Sequence, residues 1–336
     1  MKLTLGKLPP ALLTKYILDM TGAPSEKLVV RPRVGLDFGV VKLRSGFLIV
    51  SSDPVTGVAR NAGWHAVVVS ANDVATSGNR PGFMQSVILL PEGVDEGAVR
   101  ELTSKMADAA RRLGITIVGG HTEVTPGLDR PIVMITAFAV APSFVTSGGA
   151  KAGDTLMMTK SAGIEGTAIL AEEAATRGAS PTTVRRASRF FERMSVVDEA
   201  EKAFETGFVH AMHDCTEGGV LGAVYEMSFA SHLGLEVNEV KIPVAQETRA
   251  VCSVFGVDPL KLIGSGALLM AVEGGKEEVV KGALATIGTP VTSIGRFREG
   301  RRTILVHQKG GRRTLIRDSP VDELWRVQKT AHLVST

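Results

Sequence analysis

Five short segments set aspartate, histidine or paired glycines at the ends of apolar runs, where sites carried on loops of a rigid scaffold collect. Gly35-Leu36-Asp37-Phe38-Gly39 places an aspartate between glycines ahead of a strand, and Ser51-Ser52-Asp53-Pro54 closes the apolar run 47–50. Each taken alone also reads as a turn. Asn72 and Asp73 interrupt a helix that is otherwise Ala66, Val67, Val68, Val69, Val74 and Ala75. Aspartate competes with a helix for its backbone groups, and a buried carboxylate is costly unless paired or bound to a cation. Asp73 is therefore expected to face a metal ion or a cationic partner, against the plainer reading of an exposed helical aspartate. In Val118-Gly119-Gly120-His121-Thr122-Glu123 a turn is expected after the strand 115–118. Its glycines would let the backbone approach phosphate oxygens, with His121 and Glu123 at the rim. His213-Asp214-Cys215-Thr216-Glu217-Gly218-Gly219 opens a helix at Gly219 whose N-terminal amides would form an anion site. No third group orients a His213–Cys215 pair as a nucleophile, so Cys215 is read as a packing residue.

Three common phosphate and metal signatures are absent: GxxxxGK[ST], GxGxxG after an early strand, and HExxH. Any phosphate grip must then come from aspartates holding Mg²⁺, which bridges phosphate oxygens, together with glycine-rich turns.

The scaffold for these residues is a chain of 336 residues, 44% hydrophobic and 22% charged, room for about two ordinary domains. Lys plus Arg at 38 against Asp plus Glu at 35 leaves a formal charge of +3, too little for a surface that grips nucleic acid. Two cysteines, Cys215 and Cys252, make no disulfide framework and no CxxC zinc pair, which points to a reducing, cytoplasmic setting. No apolar stretch approaches the roughly 20 residues that span a bilayer, so no membrane association is expected. Periodicity predicts strands at 47–51, 83–90, 115–118 and 132–140, with helices at 62–76 and 95–113. Asp95 is the expected N-cap of the second helix and Gly114 its stop. Turn-forming residues at 141–154 mark a domain boundary. Beyond it, helices are predicted at 166–176, 181–192, 197–206, 219–230 and 276–287. Strands are predicted at 155–159, up to 212, and at 267–272, 291–297 and 303–307, followed by a fraying basic tail.

Taken in order, Asp53-Pro54, Asn72-Asp73-Val74-Ala75, Pro91-Glu92-Gly93, Gly119 through Glu123 and Asp214 through Gly219 resemble the motifs of the aminoimidazole ribonucleotide (AIR) synthetase superfamily. The similarity runs from residue 35 to 295 and looks most like the HypE-like, AIR-synthase-related branch. Five ordered motifs are far more specific than any one. The resemblance implies an α+β, two-domain PurM-like fold, its N-terminal domain (1–141) sharing a β-barrel with a second copy in a homodimer. A C-terminal α/β domain (154–310) and a basic tail (311–336) would follow. It implies ATP and Mg²⁺ as cofactors and a small substrate whose amide-like oxygen is phosphorylated. On that basis Asp37, Asp53 and Asp73 would hold the metal, and Asn72, Gly119, Gly120, Thr122, Gly218 and Gly219 would line the nucleotide cleft. Asp73, His121 and Asp214 would form the catalytic set. Two alternatives stay open: a small-molecule kinase like thiamine-monophosphate kinase, and a non-catalytic nucleotide-binding partner in a maturation complex. The latter is favoured by the lack of any cysteine after Cys252 to accept a carbamoyl group.

Overall fold

In the computed structural model, which describes residues 6–18, 20, 22–56, 61–300 and 302–334, two mixed sheets carry the chain. The first is built from β1 (Leu28–Val30), β2 (Gly39–Lys42), β3 (Phe47–Val55), β4 (Phe83–Leu90), β5 (Thr116–Val124) and β6 (Ile132–Ala141), in the order β1-β2-β3-β6-β4-β5. The second uses β7 (Thr155–Thr159), β8 (Val209–Asp214), β9 (Gly234–Asn238), β10 (Leu268–Val272), β11 (Val291–Arg298), β12 (Ile304–His307) and β13 (Arg313–Ile316), in the order β13-β12-β9-β11-β7-β10-β8. The architecture is α+β with two sheet-and-helix units, as the sequence predicts. Among the described residues no helix is long and apolar enough to cross a membrane.

Alternation along the strands decides which side chains meet. In β6, Val133, Ile135, Ala137, Ala139 and Ala141 are buried and point toward the helices. The antiparallel register pairs Ile49 with Ala139, Ser51 with Ala137 and Asp53 with Ile135, so Ser51 and Asp53 face the helices too. The expected Asp53-Pro54 turn is not formed, because β3 runs on through both residues. Its neighbour β2 covers only residues 47–50 of it, so Pro54 needs no ladder partner on that side.

The Glu96–Leu113 helix starts and stops as the sequence predicts: Ala98 N donates to Asp95 Oδ1 at 2.8 Å, and Gly114 is left-handed at φ 70°. The Ala62–Ala75 helix is buried on nearly every side because the first sheet, the Glu96–Leu113 helix and the Val197–Phe204 helix of the second unit all pack against it. Asn72 in its last turn is fully buried, its Nδ2 donating to Met194 O at 2.8 Å while Val196 N donates to its Oδ1 at 2.9 Å. This side chain therefore pins the second unit to the first, where the sequence places it on the nucleotide. Asn72→Ala strands a buried carbonyl and a buried amide and is expected to cost about 2–4 kcal/mol, measured by urea unfolding.

Sequence reasoning misses β9, β13, the Gln246–Phe255 helix and the Glu323–Val334 helix. The basic tail of 311–336 is corrected most. β13 pairs with β12, Leu324 and Val327 enter the core, and Asp322 is buried. The positive charges that suggested fraying lie on exposed positions of an otherwise anchored segment. Residues 335 and 336 lie outside the described residues.

The helices cover one face of the first sheet. Its other face exposes Phe83, Met134 and Val140, with Phe138 stacked on Phe83 at 6.0 Å between ring centroids.

Candidate functional site

Four carboxylates converge between the two sheets. Asp73 is buried at 7% exposure on the Ala62–Ala75 helix, with Ser51 Oγ 2.7 Å from its Oδ2. The same hydroxyl lies 2.8 Å from the Asp37 carbonyl oxygen, tying the loop before β2 to the helix. Ser147 Oγ donates to Asp37 Oδ2 at 3.1 Å. From the second sheet, β8 ends by delivering His213 and Asp214, and ligand atoms of Asp37, His213 and Asp214 lie within 4.8 Å of one another. Among the described residues, neither carboxylate oxygen of the fully buried Asp214 has a hydrogen-bond partner.

The charges explain each other. Burial, then the neighbouring charges of Asp53 and Asp214, push the Asp73 carboxyl well above its ordinary range. Burial and the charges of Asp37 and Asp53 raise Asp214 to about 8, although the cationic His213 pulls it back. His213 sits in a chain of its own, its Nδ1 2.7 Å from Asp37 and its Nε2 2.8 Å from Glu226, which in turn lies 3.2 Å from Lys7 Nζ. Burial works against a charged His213, but Asp37 and Glu226 outweigh it and raise the ring to about 10. Burial would raise Glu226 as well; Lys7 and His213 overcome it and hold it at about 2. His213 therefore carries a proton on both nitrogens. It can be neither a metal ligand nor a general base in this state. The remaining carboxylates, with two orphaned oxygens and excess negative charge, fit a hard divalent cation such as Mg²⁺.

The glycines after Asp214 serve packing first. Gly219 has φ 63°, and a Cβ there would lie 2.6 Å from Leu260 O. Gly218 caps the Gly219–Ser231 helix in the left-handed region at φ 84°. Its amide is already taken, because Gly218 N donates to Asp322 Oδ2 at 2.6 Å. The anion at this helix N-terminus is a side chain of the chain itself, which corrects the expectation that Gly218 is open to a phosphate. Asp322, raised by burial against its backbone donors, reaches about 7. Cys215 is fully buried, and burial pushes its thiol well up. The native Cys215 thiol is expected to resist an alkylating reagent that labels the urea-unfolded chain.

The GGHTE segment is corrected too. Residues 119–123 are not a turn but the centre of β5, paired in parallel with β4. A Cβ at Gly120 would enter the Ser86 carbonyl oxygen, so this glycine permits close strand approach. His121 pairs with Val87, which pairs with Met134 on the outer face of the sheet, whereas Asp53 pairs with Ile135 on the inner face. The sheet thus separates His121 from the carboxylates of its own chain. His121 is exposed and lies 3.2 Å from Glu123, which its hydrogen bond and that of Thr125 hold below the ordinary carboxylate range. Gly119 and Thr122 share this exposed edge strand.

Two family models match the chain: the AIR synthase related protein N-terminal domain over residues 35–141 and the corresponding C-terminal domain over residues 151–308. The chain belongs to the AIR synthase related family. Among curated relatives of this family, carbamoyl dehydratase HypE of Escherichia coli (strain K12) is 29% identical over 271 residues, 78% of each chain. The fold is that of solved family structures. A chain of a HypE–HypF complex has a TM-score of 0.77 at 21% identity, covering 92% of this chain and 99% of that one. HypE in complex with ATP gives 0.73 at 23% identity, covering 94% and 96%. A ThiL chain complexed with AMPPCP and TMP gives 0.75 at 19% identity, covering 95% and 98%.

Within this member of the family, sequence reasoning missed Ser51, Ser147, Lys7 and Glu226, and it gave His213 no role. Glu226 carried a usable signal, as the only charge in the helix sequence GVLGAVYEMSFAS. Asp73 was found by that same criterion.

Proposed function

We infer that this chain is an ATP-using enzyme that binds Mg·ATP at the Asp37, Asp53, Asp73 and Asp214 cluster and phosphorylates an oxygen of a small, amide-like substrate. The observation that carries this reading is the orphaned Asp214 carboxylate among three others at the junction of the two sheets. The structural neighbours support the nucleotide, since one is HypE in complex with ATP and another is ThiL complexed with AMPPCP and TMP.

Bound Mg²⁺ would supply charge neutralisation for the phosphates. The chain's own residues hold it: Ser51 orients Asp73, and the His213 cation fixes Asp37 from behind, so the carboxylates need not reorganise when the ion arrives. Asn72 keeps the two units in register.

The bare face of the first sheet suits a second copy. Phe83, Phe138, Met134 and Val140 form an apolar strip with β5 as an unpaired edge, and a homodimer would cover both. His121, Gly119 and Thr122 would then meet the other copy's surface, the arrangement in which they could still border a nucleotide. A maturation-type protein partner is supported by the HypE–HypF structure. Both cysteines are free, in keeping with a reducing, cytoplasmic setting.

Incubation with Mg²⁺ and ATP tests the reading by product analysis. Slow release of phosphate and ADP is expected, accelerated by amide-bearing substrates. Phosphate recovered on a stable product would favour the small-molecule kinase, and absence of any ADP would contradict both.

A further inference from the structure

Away from the carboxylates, two guanidinium groups converge on one imidazole. Arg33 Nη2 lies 3.0 Å from His232 Nε2, and Arg302 Nη2 lies 2.7 Å from His232 Nδ1. A neutral imidazole has one acceptor nitrogen and one N–H, and a protonated ring has none to spare. At most one of the two contacts is a hydrogen bond; the other sets an N–H against an N–H. Among the described residues no carboxylate pairs with Arg33, His232 or Arg302. Burial and the two arginine charges hold His232 below its ordinary value. The cluster is not a chance meeting of long side chains on mobile segments. The turn carrying Arg33 is closed by Leu36 N donating to Arg33 O at 3.2 Å, and it packs so tightly that a Cβ on Gly35 would lie 2.6 Å from Glu226 O. His232 caps the Gly219–Ser231 helix at φ 60°, and Arg302 lies over the Phe229 ring at 4.5 Å. Leu235 N donates to Thr303 O at 3.0 Å, fixing the backbone beside Arg302. One cation at a helix C-terminus is ordinary; here all three side chains are exposed, so water solvates their donors and an incoming anion would replace that water.

We propose that Arg33, His232 and Arg302 form a binding site for a tetrahedral oxyanion, the phosphate monoester group of the small substrate. Such a group accepts from both guanidinium ions and from the imidazole N–H at once, which removes the N–H to N–H conflict. The site shares its supports with the carboxylate cluster: Arg33 precedes Asp37 by four residues, and His232 follows Glu226 by six, about 9 Å along the helix. A substrate anchored here by its phosphate would extend toward the site of phosphoryl transfer. Its assignment to the substrate rests on the proposed ATP-using function, whereas anion binding itself does not.

The test titrates the full chain, saturated with Mg²⁺ and a non-hydrolysable ATP analogue, with inorganic phosphate and with methyl phosphate at physiological chloride. Histidine side-chain NMR reads the site, and His232→Asn identifies the His232 signals while tolerating the positive φ. Expected are saturable shifts of His232 with both probes and a loss of affinity of about tenfold or more in Arg33→Met and in Arg302→Met, a change of about 1.4 kcal/mol or more. Methionine keeps the apolar stem, and circular dichroism checks the fold of each variant. Absence of saturable shifts, or equal affinity in all variants, overturns the site as general charge attraction only. Binding of inorganic phosphate with rejection of methyl phosphate overturns its role as a substrate handle. Failure of the ATP analogue to bind, with the His232 shifts intact, would count against the proposed function and leave the anion site standing.

Discussion

Asp73→Asn is expected to make the metal-free protein more stable while weakening Mg·ATP binding roughly 10- to 150-fold. Asp73 is buried among Asp53, Asp214 and Asp37, and their charges and its burial both disfavour its ionised form. An amide of nearly the same shape can still accept from Ser51 Oγ, so little packing is lost. It removes one titratable charge from a repulsive set, so the metal-free variant gains stability at alkaline pH, where the wild-type carboxylates are driven to ionise. Binding responds oppositely, because a hard cation loses an anionic ligand, a charge-assisted contact of about 1.5–3 kcal/mol. A buried aspartate kept only for structure would show neither opposed effect. Thermal melts with and without ligand separate these outcomes.

Metal-free protein is expected to lose on the order of 4 kcal/mol of stability between pH 5 and pH 8, a loss that Mg²⁺ with ATP suppresses. Asp214 rises from 3.8 to about 8 on folding, so the native state binds its proton more tightly than the unfolded chain does. Its stabilising contribution is complete below pH 3.8 and is lost as pH climbs through 8. His213 rises from 6.5 to about 10, so its contribution is complete below 6.5 and also fades with rising pH. Glu226 falls from 4.5 to about 2 and acts at the other end, its contribution being lost as the solution is acidified toward pH 2. Greatest stability without metal is therefore expected near pH 5. Cation binding compensates the ionised carboxylates and flattens the alkaline side. Urea unfolding across pH measures this directly, and a flat profile without metal would mean that the carboxylates are not coupled.

Where a residue violates its local rule, the sequence is a good guide. Asp73 was legible because a carboxylate in an apolar helix must be accounted for, and the Asp95 and Gly114 caps because their chemistry is local. Glu226 was equally legible and overlooked. The GGHTE segment misled because paired glycines serve turns and tight strand pairs alike, and only the Ser86 carbonyl beside Gly120 decides between them. Asp322 could not be anticipated, since its partner Gly218 lies 104 residues away. The doubly protonated His213 depends on Asp37 and Glu226 arriving from two separate segments. Pairwise meetings of this kind arise from topology, which motif spacing does not encode.

The central claim is that the carboxylate cluster exists to hold a metal–nucleotide complex. Calorimetric titration of the purified full chain with ATP, in excess Mg²⁺ and again in excess chelator, tests it most directly. The account predicts saturable binding with Mg²⁺ and a loss of at least about tenfold in affinity without it. Equal affinity in both conditions, or no binding in either, would contradict it.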